Sequence, residues 1–260
     1  MHQLDDVVAK LKSVPLEDAV GDAALLRRHD HKFLISPKQA MTVGANLNSD
    51  WRVLEVDGHR AHQYRSLYFD TVDFALFRAH VQGRRRRYKV RVRSQGDSIN
   101  TWLELKTKTD RSETNKLRWL RDGNGFVDLT VIERSHLTAA LETVYGSMVL
   151  PPLVASLDLR YIRRTLINSR TNERITMDVD LFAATAEDSS NLFPDAVVME
   201  IKSTMENGPA LIELRKIGLR PMRVSKYCVA VSSLVPGASP MPLRDALRGH
   251  HVLRGKPLVA

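Results

Sequence analysis

The chain of 260 residues is 43% hydrophobic and 27% charged, an ordinary globular composition, and its net charge is +9. This length suits one large domain or two small ones, and no apolar run approaches the roughly 18 residues that a membrane-spanning helix needs. The single cysteine, Cys228, excludes an internal disulfide, and the start "MHQLDDVVAKLKSV" lacks the layout of a signal peptide. We therefore expect a cytoplasmic protein.

Period-two alternation of polar and apolar residues predicts eight half-buried strands, in chain order. They cover 26–35, 64–71, 87–94, 101–109, 114–121, 157–167, 173–181 and 196–204. On each strand but the second, one face is apolar and the other is polar, largely charged. The polar faces carry Arg28, Asp30 and Lys32; Lys89, Arg91 and Arg93; Glu104, Lys106 and Lys108; Lys116 and Arg118; Tyr161, Arg163 and Thr165; Arg174, Thr176, Asp178 and Asp180; and Glu200 and Lys202.

Helices are predicted to be fewer and peripheral. Ser36 caps a helix that begins with Pro37, and Ser135 caps a second helix that ends at Gly146. A third helix runs from Pro209 to Gly218, and a fourth begins after Ser225. A short amphipathic segment over 72–81 follows the second strand. We expect three parts: an N-terminal helical segment (1–25), one main domain (26–235) and a C-terminal tail (236–260).

The excess positive charge is concentrated in one segment. Between Arg84 and Arg118 there are 12 Lys and Arg against 4 Asp and Glu, a net charge of +8. Such a concentration predicts a polyanionic partner more strongly than a high overall pI does.

These patterns predict an antiparallel α+β fold whose charged face is either solvated, as in an open sandwich, or turned into the lumen of a barrel. For any single strand the solvated face is the ordinary interpretation. The recurrence on six strands, together with helices that need an apolar surface to cover, favours the lumen. A cationic lumen requires a matching anion, and phosphates suit Arg and Lys. Glu200 among these cations suggests a divalent metal that itself contacts phosphate.

Seven motifs in order resemble the catalytic domain of the vacuolar transporter chaperone (VTC) family, a branch of the triphosphate tunnel metalloenzymes. They are "RxDxK" (28–32), "YFDT" (68–71), "KVRVR" (89–93), "LELKTK" (103–108), "YIRR" (161–164), "MEIKS" (199–203) and "SKYC" (225–228). The resemblance extends from about Leu26 to Val235. It implies a closed eight-stranded antiparallel barrel, the triphosphate tunnel, with peripheral helices. It also implies a polymerase that transfers the γ-phosphate of ATP onto inorganic polyphosphate with Mn²⁺ or Mg²⁺.

The resemblance implies a set of site residues by matching positions. The catalytic set is Lys32, Arg91, Arg93, Lys106, Arg163 and Glu200, with Glu200 as the metal ligand. The phosphate-binding set is Lys32, Arg91, Arg93, Lys106, Lys116, Tyr161, Arg163, Arg174, Lys202, Ser225 and Lys226, with Arg223 at its margin. The partners are ATP and polyphosphate, without nucleic acid. If polymer is exported, a separate membrane protein must supply the pore.

Two features depart from the wider superfamily or lie outside the motifs. Arg28 and Asp30 occupy first-strand positions where other tunnel enzymes carry glutamates, which counts against a two-metal hydrolase. Asp30 is either a ligand or the ion-pair partner of Lys32. The run from Arg84 to Arg87 is either a tunnel rim or a solvated turn. The alternative functions are a tripolyphosphate or nucleoside triphosphate hydrolase, a non-catalytic polyphosphate sensor, and a nucleic-acid-binding protein. The last would explain Arg84–Arg87 but not Glu200.

Overall fold

The computed structural model describes residues 2–19, 29–47, 49–96, 100–109, 114–121, 125–242 and 244–246. The strands are β1 (Lys12–Val14), β2 (His29–Ile35), β3 (Trp51–Leu54), β4 (His62–Asp70), β5 (Arg87–Gln95), β6 (Thr101–Lys108), β7 (Thr114–Arg121), β8 (Val154–Asn168), β9 (Arg174–Ala184), β10 (Ser189–Leu192) and β11 (Val197–Ser203). The helices are α1 (His2–Ala9), α2 (Leu16–Ala19), α3 (Pro37–Ala45), α4 (Ala75–Val81), α5 (Val131–Tyr145), α6 (Pro209–Lys216) and α7 (Lys226–Leu234). Arg28 and the tail beyond residue 246 lie outside the described residues. In the described part, no helix combines the length and apolar character needed to cross a membrane.

The eight predicted strands form the main path of one mostly antiparallel sheet, in the order β2-β11-β9-β8-β4-β5-β6-β7. Three short strands extend it to eleven: β3 pairs with β8, β1 pairs with β3 in parallel, and β10 pairs with β9. The α+β class is therefore confirmed, whereas the expected total of eight strands is wrong. Strands of three or four residues are too short for their alternation to stand out in the sequence.

The prediction of a closed barrel is also wrong. The path ends at β2 and β7, which do not pair with each other in the described part of the chain. The backbone oxygen of Lys32 on β2 instead accepts a 2.8 Å hydrogen bond from the backbone nitrogen of Met222. The segment that leads into α7 thus takes a position that a closing strand would use. At the other end, Lys116 and Leu117 lie on opposite faces of β7, and each is 41% exposed.

Apolar side chains on the outer face of the sheet pack under helices. Val90, Val92, Leu103 and Leu105 lie in one core cluster with Leu141 of α5 and its neighbours. A second cluster covers β2, β9 and β11 with apolar residues of α1, α3 and α6, among them Leu4, Val43 and Leu214. Burial of both clusters stabilises the fold by removing apolar surface from water.

The opposite, inner face carries the charged residues, and the sheet curves around it. Strands β2 and β6 are six steps apart in the sheet, about 29 Å if it were flat. The pKa of Lys106 on β6 is nevertheless lowered, first by desolvation and then by the charge of Lys32 on β2. We call this concave, charged face the trough. Helix α7 closes part of it, packing Val231 and Leu234 against Leu157 and Leu181.

Local signals at the helix ends are partly confirmed. Ser36 caps α3 with a capping box completed by Gln39, as its sequence indicates, and Ser225 caps α7. Helix α5 begins earlier than predicted, because Thr130 and Glu133 form a capping box one turn before Ser135. Its end at Gly146, with φ +78, is confirmed.

Candidate functional site

The trough is built by strand parity, so alternate residues of each strand share it. The register pairs Lys89 with Lys106 and Lys106 with Lys116, and it pairs Arg163 with Asp178 and Glu200 with Lys32. Among the described residues, cationic side chains on this face outnumber carboxylates. The cations include Lys32, Lys89, Arg91, Arg93, Lys106, Lys108, Lys116, Arg118, Arg163, Arg174, Lys202 and Lys226, and the carboxylates include Asp30, Glu104, Asp178 and Glu200.

Glu104 is the common counterion of three cations. Its carboxylate lies 2.6 Å from Arg91, 3.0 Å from Arg93 and 2.6 Å from Lys116, and its side chain is only 3% exposed. Burial alone would raise the pKa of Glu104, but the charges of the three cations outweigh it and lower the pKa to about 2. Glu104 therefore orients these cations, and both of its carboxylate oxygens are in close ion pairs.

Asp178 plays the same part on the other side of the trough. Arg163 binds it through two nitrogens, at 2.6 and 2.8 Å, and the Nζ of Lys226 lies 2.5 Å away. Although burial opposes ionisation, the charges of Arg163 and Lys226 lower the pKa of Asp178 to about 2. This contact fixes the start of α7 over the trough, because Lys226 is the first residue of that helix.

Glu200 differs from these two carboxylates in having a loose partner. Its ion pair to Lys202 is 3.8 Å long, and the side chain is 14% exposed. Burial is outweighed by the charges of Lys202, Lys32, Lys226 and Arg163, which lower the pKa of Glu200 to about 2. Glu200 is thus an ionised carboxylate, and no described residue holds its oxygens in a close ion pair.

A metal ion at Glu200 fits this donor chemistry only in part. In the described part of the chain, no three or more His, Cys, Asp or Glu side chains are grouped to hold a metal. Mg²⁺ and Mn²⁺ accept one carboxylate and complete their shells with water and substrate phosphate oxygens. Glu200 could therefore hold such an ion only together with a bound phosphate chain.

Three lysines meet at the centre of the trough. The pKa of Lys106 is lowered by desolvation and then by the charges of Lys32 and Lys89. The side chain of Lys106 is accessible to water yet surrounded by protein groups, as expected in a groove. The Nζ of Lys89 lies 2.8 Å from the hydroxyl of Ser225, at the start of α7. Like charges this close favour an anion between them.

Tyrosine side chains hold several of the cations in position. Tyr64 and Tyr161 are stacked with ring centroids 5.4 Å apart, and the guanidinium of Arg163 lies 4.9 Å from the Tyr64 centroid. Lys226 lies 5.0 Å from the Tyr161 ring, and Arg91 donates a 3.0 Å hydrogen bond to the hydroxyl of Tyr68. Cation–π contacts of this kind restrict the charged groups without neutralising them.

The structure places the sequence-predicted site residues on this one face or at the start of α7. They are Lys32, Arg91, Arg93, Lys106, Lys116, Tyr161, Arg163, Arg174, Glu200, Lys202, Ser225 and Lys226. Arg223 is exposed just before α7, and Arg84 to Arg86 lie in the exposed turn before β5.

One assignment made from strand parity needs correction. Asp180 does not share the face of Asp178, because β9 is bulged there: Arg160 pairs with Phe182 but Ile162 pairs with Val179. Asp180 has φ +52 and points outward into solvent. Lys89, which is outside the predicted phosphate-binding set, lies on the same face as Arg91, as its strand parity indicates.

Comparison with known proteins identifies the family. The family model described as the VTC domain matches residues 27–235, most of the chain. No curated protein sequence matches significantly. Solved structures with a similar arrangement include a candidate adenylyl cyclase from Hippeastrum that shows a dominant triphosphatase activity, with TM-score 0.49, 15% identity, and 82% and 99% of the two chains covered. A second similar structure is a protein of Pyrococcus horikoshii, with TM-score 0.44 and 11% identity; the match covers 80% of this chain and 99% of the other. A third is a candidate adenylate cyclase from Bacillus halodurans, with TM-score 0.45 and 13% identity; the match covers 75% of this chain and 92% of the other.

The site is thus a curved antiparallel sheet with a cationic inner face, ion-paired carboxylates and a helix over part of it. The chain that carries it belongs to the VTC domain family. The resemblance expected from the seven motifs is thereby confirmed.

Proposed function

We propose that the protein is a polyphosphate polymerase, which transfers the γ-phosphate of ATP onto the end of an inorganic polyphosphate chain. The observation that carries the proposal is the trough: cations of many strands converge on one concave face and outnumber its carboxylates, which suits a polyanion. A flexible chain of phosphates can follow this face from strand to strand. A rigid duplex could not enter a groove that α7 partly covers.

The chemistry requires alignment and charge rather than a protein nucleophile. A terminal phosphate oxygen of the polyphosphate attacks the γ-phosphorus of ATP. The bond from that phosphorus to the β,γ-bridging oxygen breaks, and ADP leaves with the bond electrons. Arg91, Arg93 and Arg163 are already oriented by Glu104 and Asp178 to stabilise the charge that builds on the transferred group. A divalent metal bound with Glu200 would supply further charge stabilisation.

Transfer between phosphates is favoured over hydrolysis by the state of the carboxylates. Water must lose a proton to attack, so a hydrolase benefits from a general base with a pKa nearer the working pH. The pKa values of Glu104, Asp178 and Glu200 are all lowered to about 2, which makes each a poor base. A phosphate oxygen is already anionic and needs no base.

The direct test is incubation of the purified protein with ATP, Mn²⁺ or Mg²⁺ and a short polyphosphate primer. Polymer is resolved on a gel, and ADP and free phosphate are assayed separately. A lengthening ladder, with ADP formed in excess of free phosphate, is the expected result. ADP with an equal amount of free phosphate and no ladder would indicate a hydrolase instead. Tight polyphosphate binding without turnover would indicate a sensor.

A pair of arginine variants checks that the trough is the site. Arg93→Ala should weaken polyphosphate binding, because Arg93 lies in the trough. Arg170→Ala is the control, since its side chain is 77% exposed in the turn between β8 and β9. Equal loss of binding in both variants would place the polyanion on an outer surface.

A further inference from the structure

Thr176 carries a buried hydroxyl without a hydrogen-bond partner. It is the third residue of β9, is 3% exposed, and its Oγ1 has no partner within the described residues. Buried hydroxyls normally find a partner, because desolvation without a compensating hydrogen bond costs free energy. Where such a hydroxyl faces a charged groove and not the apolar core, a ligand can complete the contact.

The position of Thr176 places its hydroxyl in the trough and not in the apolar core. Its neighbours along the strand, Ile175 and Met177, point the other way into the cluster under the outer helices. On the trough side, Thr176 is directly opposite Glu200 on β11 and Thr165 on β8. The Arg163–Asp178 ion pair follows two residues along β9.

A neutral donor suits this position better than another cation would. A lysine at this position would form a close ion pair with Glu200 and occupy its carboxylate oxygens. A hydroxyl donates to a phosphate oxygen and leaves the oxygens of Glu200 available.

We propose that Thr176 is a phosphate-binding residue, whose hydroxyl donates a hydrogen bond to a non-bridging oxygen of the phosphate bound between Arg163 and Glu200. This inference rests on the proposed phosphate site but is independent of the reaction that the site carries out. It assigns a role to a residue outside the motif-derived phosphate-binding set.

The test uses three variants: Thr176→Val, Thr176→Ser and Thr107→Val. Valine keeps the shape of threonine without its hydroxyl, and serine keeps the hydroxyl without the methyl group. Thr107 is a matched control, because its hydroxyl is also buried and unpartnered among the described residues. It lies on the other face of β6, opposite Tyr88 of the apolar cluster. Affinity for inorganic tripolyphosphate is measured by calorimetry without divalent metal, and Tm is measured without ligand.

Thr176→Val should lower the affinity roughly 5- to 10-fold while Tm stays level or rises, because an unpartnered hydroxyl is removed. Thr176→Ser should keep most of the affinity, and Thr107→Val should change Tm alone. Unchanged affinity in Thr176→Val, or an equal loss in Thr107→Val, overturns the inference. So does an effect confined to the metal dependence of turnover, which would assign the hydroxyl to the metal's water shell. Failure of the unmodified protein to bind tripolyphosphate would overturn the proposed site itself.

Discussion

At the scale of single residues, three carboxylates of the same trough have different partners. Glu104 and Asp178 each hold at least two cations at 3.0 Å or less, whereas the ion pair that Glu200 makes among the described residues is 3.8 Å long. Tight pairs orient cations for a ligand, and a loosely held carboxylate keeps oxygens available for a metal. This contrast, and not the identity of the residue, distinguishes Glu200 as the candidate ligand.

Replacing Glu200 by Gln should separate turnover from binding. Loss of the metal-holding charge should reduce turnover roughly 100-fold, a typical effect of removing one electrostatic contact to the transition state. Metal-free affinity for polyphosphate should stay equal or improve, because a negative charge facing the phosphates is removed. Turnover with ATP and Mn²⁺ and calorimetry with polyphosphate measure the two effects.

Glu213→Gln is the control, since Glu213 lies on α6 and pairs with Lys216. Equal losses of binding and turnover in Glu200→Gln would contradict a metal role. Such a result would make Glu200 an orienting partner of Lys202 and Lys32.

Lys106 should make polyphosphate binding depend on pH. Its pKa in the free protein is lowered below the ordinary value of 10.5, and a bound polyanion raises it again. Binding therefore takes up protons below the ordinary pKa of a lysine, and affinity falls as pH rises through the lowered pKa. Lys106→Arg, which stays charged, should show a shallower fall over the same pH range. Calorimetry in buffers of different ionisation enthalpy measures the number of protons taken up on binding. Identical proton uptake by the unmodified protein and by Lys106→Arg would exclude Lys106 as the group that takes up the proton.

At the scale of elements, α7 connects distant parts of the trough through its first turn. Ser225 accepts hydrogen bonds from the backbone of Cys228 and from Lys89 on β5, and Lys226 reaches Asp178 on β9. Further along, Tyr227 donates a 2.6 Å hydrogen bond to Asp70 at the end of β4. The helix thus stabilises the curved sheet and supplies two polar groups to the site.

Ser225→Ala should therefore affect both stability and binding. Loss of an N-cap costs about 1 kcal/mol in the free energy of unfolding. Loss of the contact to Lys89 should also weaken polyphosphate binding several-fold. Urea unfolding and calorimetry measure these effects.

Ser36→Ala provides the matched control, because Ser36 caps α3 in the same way. Helix α3 packs on the outer face of the sheet, away from the trough. It should lower stability by a similar amount and leave polyphosphate affinity unchanged. If the two variants lost affinity equally, the effect of Ser225→Ala would be one of stability alone.

At the scale of the whole molecule, the paired carboxylates should make stability depend on acid pH. The pKa values of Glu104 and Asp178 are about 2 in the folded protein, against ordinary values of 4.5 and 3.8. Because the folded values are depressed, their contribution is fully present above about pH 4.5 and is lost as pH falls toward 2.

Urea unfolding between pH 6 and 2 should show this loss, and Glu104→Gln should reduce it. That variant is less stable at neutral pH, since Arg91, Arg93 and Lys116 lose their common counterion. An unchanged pH profile in Glu104→Gln would show that Glu104 is not ionised through its pairing with these cations.

The sequence by itself determined which side chains share a face, since a strand alternates with a period of two wherever it is regular. It therefore predicted the eight long strands, the charged face with Arg91, Arg163 and Glu200, and the cap Ser36. Only the tertiary structure decided where regularity fails: the bulge that turns Asp180 outward, and the contact from Met222 to Lys32 that occupies the edge of β2. Closure, pairing and the burial of Thr176 depend on groups far apart in the chain, and no local pattern records which of them meet.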